Sequence, residues 1–496
     1  MKVIRRRIGG GAKLLALILL MIAFSMTAPL IMAVCLGEAA MVRAFIITMA
    51  AVSVLALPAL LAAGKQPIRF SASDGFMLVF FSWVGACLLG AAPYLISRCI
   101  PGLADAVFES VSGFTTTGAS VIEDLDAMPR SLILWRAETH WLGGMGMVVL
   151  TVALLPLLGV GGFRLIKAET TGPEKDRITP KITETAKLLW IMYVVLTAVQ
   201  AALLYGAGMS VFDAVIHAFS TMATGGFSSH NESLAYFDSP AIQWITIVFM
   251  LVAGYNFSLL FRLLRRQFRE VWNNSEGRAY LAIVAVSVLI ITAALSVPAA
   301  GFEPEAVSSL GGTLRRAFFY VASVITTTGF SILDHNLWPP AAGAVLFMLM
   351  LVGGCSGSTA GGIKVIRHVV LWKQCGNELR RVIYPRGVFS IRLNKKVGRK
   401  DVVYGVAGFI FLYCALAALG MLVVASTGLD LFSSLNTSFL AIGNIGLGFG
   451  KIDSAEAFHL FPAYVKWFLS FIMLAGRLEL WTVFVFFSKD FWHSRW

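Results

Sequence analysis

The chain has 496 residues, of which 58% are hydrophobic and only 14% charged, with a mean hydropathy of +0.79. Soluble proteins carry about 25% charged and about 45–50% apolar residues, so these proportions exclude a soluble enzyme, a disordered chain and a disulfide-stapled secreted domain. The formal charge of +13 lies in short segments between apolar runs, which is a mark of membrane topology and not of a nucleic-acid surface.

Lys2, Arg5, Arg6, Arg7 and Lys13 precede an apolar run over 14–36. It is longer than the ~7–15 residues of a signal-peptide core and no A-x-A cleavage site follows, so it reads as an uncleaved first span. Runs long enough to cross a bilayer fall at 14–36, 42–63, 74–97, 131–158, 184–207, 240–261, 279–299, 340–370, 402–426 and 463–488, which predicts ten spans. Between them lie four apolar segments too short to cross, 104–114, 212–222, 314–325 and 431–442, which read as half-membrane helices. Most of the 40 lysines and arginines occupy 1–13, 64–73, 159–187, 262–278, 364–400 and 489–496, and the alternate connections are acidic. The positive-inside rule therefore predicts both termini in the cytoplasm and an even number of spans. Cys35, Cys87, Cys99, Cys355, Cys375 and Cys414 are scattered and include no CxxC pair, so neither a zinc site nor a disulfide framework is supported.

The four short segments close on related phrases. The first runs from Ala104 to Thr116-Thr117-Gly118-Ala-Ser, the second from Phe212 to Thr224-Gly225-Gly226-Phe-Ser, and the third from Arg316 to Thr327-Thr328-Gly329-Phe-Ser. The fourth, from Leu431 to Asn444-Ile445-Gly446-Leu-Gly, is looser. The closing glycines are 108, 103 and 117 residues apart, and each phrase has one span before it and one after. The predicted architecture is an all-α polytopic membrane protein. A two-helix preface (1–72) precedes four span–half-helix–loop–span units at 73–160, 161–270, 271–400 and 401–496, arranged around one pore.

Non-helical backbone at membrane depth is tolerated where it is buried in protein or lines a watery path. Four such loops around one axis would offer a ring of backbone carbonyls able to replace the water lost by a monovalent cation. Glycine admits positive φ and close approach, and the preceding threonines add carbonyls and hydroxyls. The half-helices would aim the partial negative charge of their C-terminal ends at the centre, favouring a cation. The alternative, tight Gly/Thr corners between helices, suits one phrase better than four with the same spacing and topology.

The span 340–370 carries Gly353, Gly354, Gly357, Gly361 and Gly362, with Ser356, Ser358 and Thr359 among them. At about 1 kcal/mol per glycine relative to alanine, this weakens a helix and favours an unwound intramembrane loop. Close packing through GxxxG spacing is the competing reading. No P-loop motif is present. Arg477 lies inside the last span, facing either a pore or a buried acid such as Glu479. Glu138, His140, His217 and Asn256 are expected to hydrogen-bond the loops from behind, and Lys466 to snorkel to the outer interface. The eleven lysines and arginines of 364–400 suit either anionic lipid or a cytosolic protein.

The four glycine phrases resemble the filter loops of the Trk/Ktr/HKT potassium transporter superfamily. The two-span preface and the stretch Gly353-Gly-Cys-Ser-Gly-Ser-Thr-Ala-Gly-Gly-Ile-Lys364 resemble its TrkH/TrkG type. The resemblance covers nearly the whole chain. It implies uptake of potassium (rubidium also) across the bacterial inner membrane and a homodimer with one pore per subunit. It also implies a cytosolic TrkA-type regulatory partner, which would carry the nucleotide (NAD or ATP), leaving no cofactor in this chain. It implies an intramembrane gate at 353–362 and a pore-facing Arg477, and glycine at 118 goes with potassium over sodium. A secondary transporter coupling potassium to H+ or Na+ is the second reading. Its usual inverted repeats are not what these same-orientation phrases suggest. An enzyme is not expected, since the seven histidines form no cluster with nucleophiles or metal ligands.

Overall fold

The computed structural model describes residues 2–62, 72–146, 182–296, 309–394, 396–397, 400–450, 452 and 455–493. Helices α1 (Lys2–Ser25) and α2 (Thr27–Cys35) are separated by Met26 alone and make one apolar span, Gly11–Cys35. The chain reverses at Gly37, whose φ of +72° is open to glycine without a Cβ penalty, and α3 (Ala39–Ala62) packs back on α1. Next come α4 (Ala72–Ser97), α5 (Leu103–Phe114), α6 (Arg130–Gly144), α7 (Ile182–Gly206) and α8 (Val211–Ala223). They are followed by α9 (Pro240–Gly254), α10 (Phe257–Leu264), α11 (Phe268–Asn273), α12 (Ser275–Ser296) and α13 (Leu310–Ile325). The C-terminal part contains α14 (Pro340–Met350), α15 (Val365–Ile383), a two-residue antiparallel ladder of β1 (Arg392–Leu393) with β2 (Lys396–Val397), α16 (Lys400–Ala425), α17 (Leu431–Gly443), α18 (Ala463–Arg477) and α19 (Trp481–Phe484).

Among the described residues, six spans are long and apolar enough to cross a membrane unaided: Gly11–Cys35, Ala39–Pro58, Asp74–Ser97, Ala186–Gly206, Ser275–Ser296 and Val402–Ala425. The chain is thus a helical, multi-pass membrane protein, and among the described residues two further runs expected to span are bent in the middle, while the break expected within 340–370 is present. The run 240–261 is two helices bent by 107°, and 463–488 is a pair bent by 109°. The first bend has a local cause: Asn256 leaves the helix and its side-chain oxygen caps α10, accepting the Ser258 and Leu259 N–H groups. At the second bend Glu479 takes a left-handed φ of +58°. The run 340–370 is divided into α14 and α15 by residues 351–364, which form no helix. The run 131–158 begins in α6 and passes into 147–181, outside the described residues.

Helices α5, α8, α13 and α17 have 12, 13, 16 and 13 residues. At 1.5 Å per residue they are about 18–24 Å long, short of the ~30 Å hydrocarbon core. Ser210, Ser309 and Asp430 cap α8, α13 and α17 by accepting a backbone N–H of the first turn. Each short helix packs on its two sequence neighbours and on one further element. For α8 that element is α6, for α13 it is α9, for α17 it is α14, and for α5 it is α18. The last contact closes a cycle between the two ends of the chain.

Candidate ion-conduction site

The four short helices end in one and the same cap. Thr116, Thr224, Thr327 and Asn444 each adopt a left-handed φ, of 54°, 57°, 58° and 53°. Their N–H groups bond three residues back, to the carbonyls of Gly113, Thr221, Val324 and Ala441 at 3.1, 2.9, 3.0 and 3.4 Å. The next residues, Thr117, Gly225, Thr328 and Ile445, bond five back, to Ser112, Ser220, Ser323 and Leu440 at 2.9, 2.8, 2.9 and 3.0 Å. This is the Schellman arrangement, in which glycine or asparagine usually holds the left-handed position. A β-branched threonine there costs about 1–3 kcal/mol, so three of the four caps are strained. In the first and third loops the preceding threonine braces the turn. Thr115 Oγ1 donates to the Val111 carbonyl and lies 2.8 Å from Thr117 Oγ1, and Thr326 Oγ1 repeats both contacts with Ala322 and Thr328.

The caps bring the four glycines together. Gly118 lies against Gly225 and Gly446, Gly226 against Thr328, and Gly329 against Gly446, so each loop touches its neighbours in a closed ring. The carbonyl oxygens of Thr117, Gly225 and Thr328, each one residue before its glycine, lie at the contacts between loops. A side chain at Gly118 would force the loops to shift: its φ is +85°, and a Cβ there would overlap the Gly225 carbonyl oxygen. Gly446 is the exception among the four in lacking a positive φ. Asn444, by contrast, keeps the cap and uses its amide to donate to Thr117 Oγ1 at 3.0 Å and to the Met473 carbonyl at 2.9 Å. The four phrases 116–118, 224–226, 327–329 and 444–446 therefore lie in one cluster.

A second layer holds the chain leaving each loop. Nine positions before the glycine of the first three loops stand Glu109, His217 and Tyr320. Glu109 accepts the Val121 N–H at 2.9 Å. His217 Nε2 lies 3.1 Å from Ser228 Oγ, and Tyr320 Oη accepts the Leu333 N–H at 2.9 Å. In the fourth, Asn436 donates to the Phe449 carbonyl at 3.1 Å. Only His217 had been anticipated; the common offset of nine from the glycine was the signal for Glu109 and Tyr320, whereas Asn436 stands ten before Gly446 and lacks it. His140 stacks on Phe227 with centroids 3.9 Å apart and fills the space a Cβ on Gly225 would need. Asn256 does not reach the loops, donating instead to the Ser356 carbonyl at 2.6 Å.

The glycine-rich segment 351–364 lies against this ring. Gly361 N–H donates to Thr327 Oγ1 at 2.7 Å, and its Cα packs against Gly443 and Asn444. Thr359 Oγ1 is 3.0 Å from the Met222 carbonyl at the end of α8 and 3.2 Å from that of Ala253. Gly353 and Gly362, with φ of +67° and +70°, pack on each other, the Gly354 carbonyl accepts the Val365 N–H at 3.0 Å, and the chain turns at Gly357 and Ser358, whose hydroxyl donates to the Cys355 carbonyl at 2.6 Å. The segment is anchored by Glu276 of α12, whose Oε1 accepts the N–H groups of Ser356 at 2.5 Å and Ile366 at 3.3 Å.

Arg477 ends α18 and donates to the carbonyls of Thr359 at 2.7 Å, Gly143 at 2.7 Å and Gly144 at 3.0 Å. It thereby ties the glycine-rich segment to the end of α6. Glu479 is not its partner: the chain turns at Glu479, whose carboxylate pairs with Arg367. Lys466 does not snorkel either. It is 6% exposed and pairs with Asp105 at the start of α5, because α18 packs directly on that helix.

The family model described as TrkH, a cation transport protein, matches residues 38–494. The chain belongs to this family. The Trk system potassium uptake protein TrkH of Escherichia coli K12 is 40% identical over 434 residues, covering 87% of this chain and 88% of that protein. TrkH of Halomonas elongata is 39% identical over 97% of this chain and 98% of its own length. The crystal structure of the potassium transporter TrkH from Vibrio parahaemolyticus superposes with a TM-score of 0.85 at 34% identity, covering 98% of this chain and all of that one. TrkH-family membership thus rests on sequence and fold alike.

Proposed function

We propose that the protein takes up potassium across the bacterial inner membrane through a channel-like, gated pore. The observation that carries this is the closed ring formed by four identically capped glycine loops. The relatives named for potassium uptake agree with it. In this reading the backbone of 116–118, 224–226, 327–329 and 444–446 supplies carbonyl oxygens that replace the ion's water. The C-terminal ends of α5, α8, α13 and α17 converge on the ring, and their partial negative charge favours a cation there. Residues 353–362 and Arg477 form the gate: the segment blocks the path beneath the ring, and the guanidinium repels cations until both move.

The units 73–160, 161–270, 271–400 and 401–496 would be four repeats around the pore, after the 1–72 preface, giving ten crossings with both termini cytoplasmic. The cyclic packing of the short helices supports that arrangement. The working form would be a homodimer regulated by a cytosolic TrkA-type subunit that binds the nucleotide. The test is Rb+ uptake into proteoliposomes carrying this protein alone. Uptake driven by the ion's own gradient, and competed by K+ more than Na+, is expected. Uptake that waits for a Na+ or proton gradient would replace the channel with a coupled transporter.

A further inference from the structure

Glu109 and Arg136 form an ion pair with 0% and 1% of their side chains exposed, Nε to Oε1 at 2.7 Å. Neither lines the ring. Removing two charges from water is costly, and a buried ion pair can often be exchanged for apolar side chains of similar volume without loss of stability. The fold therefore has no general need of this pair, and its local contacts suggest its use.

Glu109 holds the outgoing limb of the first loop, accepting the Val121 N–H at 2.9 Å and the Ser120 hydroxyl at 3.1 Å. Arg136 Nη2 donates to the same hydroxyl at 3.1 Å. Its guanidinium carbon sits 4.0 Å from the centroid of Phe227, the residue after Gly226 in the second loop. Among the described residues, His217 and Tyr320 in the equivalent position brace the outgoing limbs of their own loops with neutral groups. The Glu109–Arg136 pair contacts two adjacent loops at once. A charged guanidinium held through Nε by a carboxylate, through Nη2 by a hydroxyl, and against an aromatic face has a fixed geometry, so it can set a distance that a soft apolar contact would leave free.

We propose that Glu109 and Arg136 are positioning residues for ion selectivity: the pair fixes the spacing between the first and second loops, and hence the fit of the ring to a dehydrated ion. This rests on the reading of the ring as an ion filter.

The test is the double variant Glu109→Leu/Arg136→Met of the full chain. It is assayed by Rb+ uptake in proteoliposomes against Na+, and by thermal unfolding in K+, Na+ or choline. The expected result is normal yield and unchanged unfolding in choline, with Rb+ preference over Na+ reduced about tenfold, or ~1.4 kcal/mol. Stabilisation by K+ should no longer exceed that by Na+. Wild-type preference in the folded double variant overturns the proposal. If the double variant does not accumulate, Ser120→Ala decides: it removes one hydroxyl shared by both charges, and reduced preference with normal yield supports the pair, whereas unchanged preference overturns it. A wild-type protein with neither Rb+ uptake nor K+-specific stabilisation overturns the filter reading itself, an outcome distinct from the failure of the pair alone.

Discussion

The Gly361 N–H donates to Thr327 Oγ1 at 2.7 Å, so the glycine-rich segment is bonded directly to a residue of the third loop. Thr327 is also one of the strained left-handed cap residues. Seating the segment and holding that strained turn are thus linked through one hydroxyl. Thr327→Val keeps the shape and removes the acceptor, leaving a buried N–H unpaired at a cost of about 1–3 kcal/mol. Rb+ uptake by the protein alone should rise, and unchanged uptake at equal expression would rule out this link as part of the gate.

Arg477→Ala removes the three bonds to the carbonyls of Thr359, Gly143 and Gly144 and the positive charge with them. An intramembrane charge is an electrostatic barrier to cations as well as a tie. Cation flux in proteoliposomes should increase with little change in preference among ions. A flux no higher than wild type would leave Arg477 as a structural tie alone.

Gly118→Ser places a Cβ where the Gly225 carbonyl oxygen stands, at a φ of +85°. Strain of about 1–3 kcal/mol must be relieved by moving the first loop away from the second. Competition experiments should show Na+ approaching Rb+ in effectiveness. Selectivity equal to wild type would refute the place of Gly118 in the filter.

Glu276→Gln replaces the acceptor of the Ser356 and Ile366 N–H groups by a neutral one. Hydrogen bonds to an ionised acceptor are roughly twice as strong as neutral ones. The glycine-rich segment should loosen, seen as faster amide hydrogen exchange at 356–366 and a higher basal flux. Unaltered exchange would show that the other contacts of the segment suffice.

Ion removal gives a check independent of flux. A ligand that binds the folded state alone stabilises it by about 2.7 kcal/mol at one hundred times its dissociation constant. The unfolding temperature should rise with K+ or Rb+ and less with Na+ at equal ionic strength. Equal responses to all three would argue against a selective site.

The membrane class, the short helices and the break within 340–370 were legible in the chain because each arises from a local signal. Apolar run length marks the spans, and five glycines in ten residues weaken one helix. Recurrence of the glycine phrases marked the residues that converge, even in the looser fourth, where Asn444 tolerates the left-handed turn that Thr116, Thr224 and Thr327 adopt under strain.

Only the tertiary structure decided the partners of the buried charges. Glu109 meets Arg136 across 27 residues, Asp105 meets Lys466 across 361, and Arg367 takes Glu479, the acid that the sequence offered only as the alternative to a pore for Arg477. The bends of 107° and 109° were hidden for the same reason. Hydropathy averages over a window and records how much apolar surface a segment must bury, whereas a pairing or a bend depends on which distant carbonyl, carboxylate or helix end packing brings within hydrogen-bond reach.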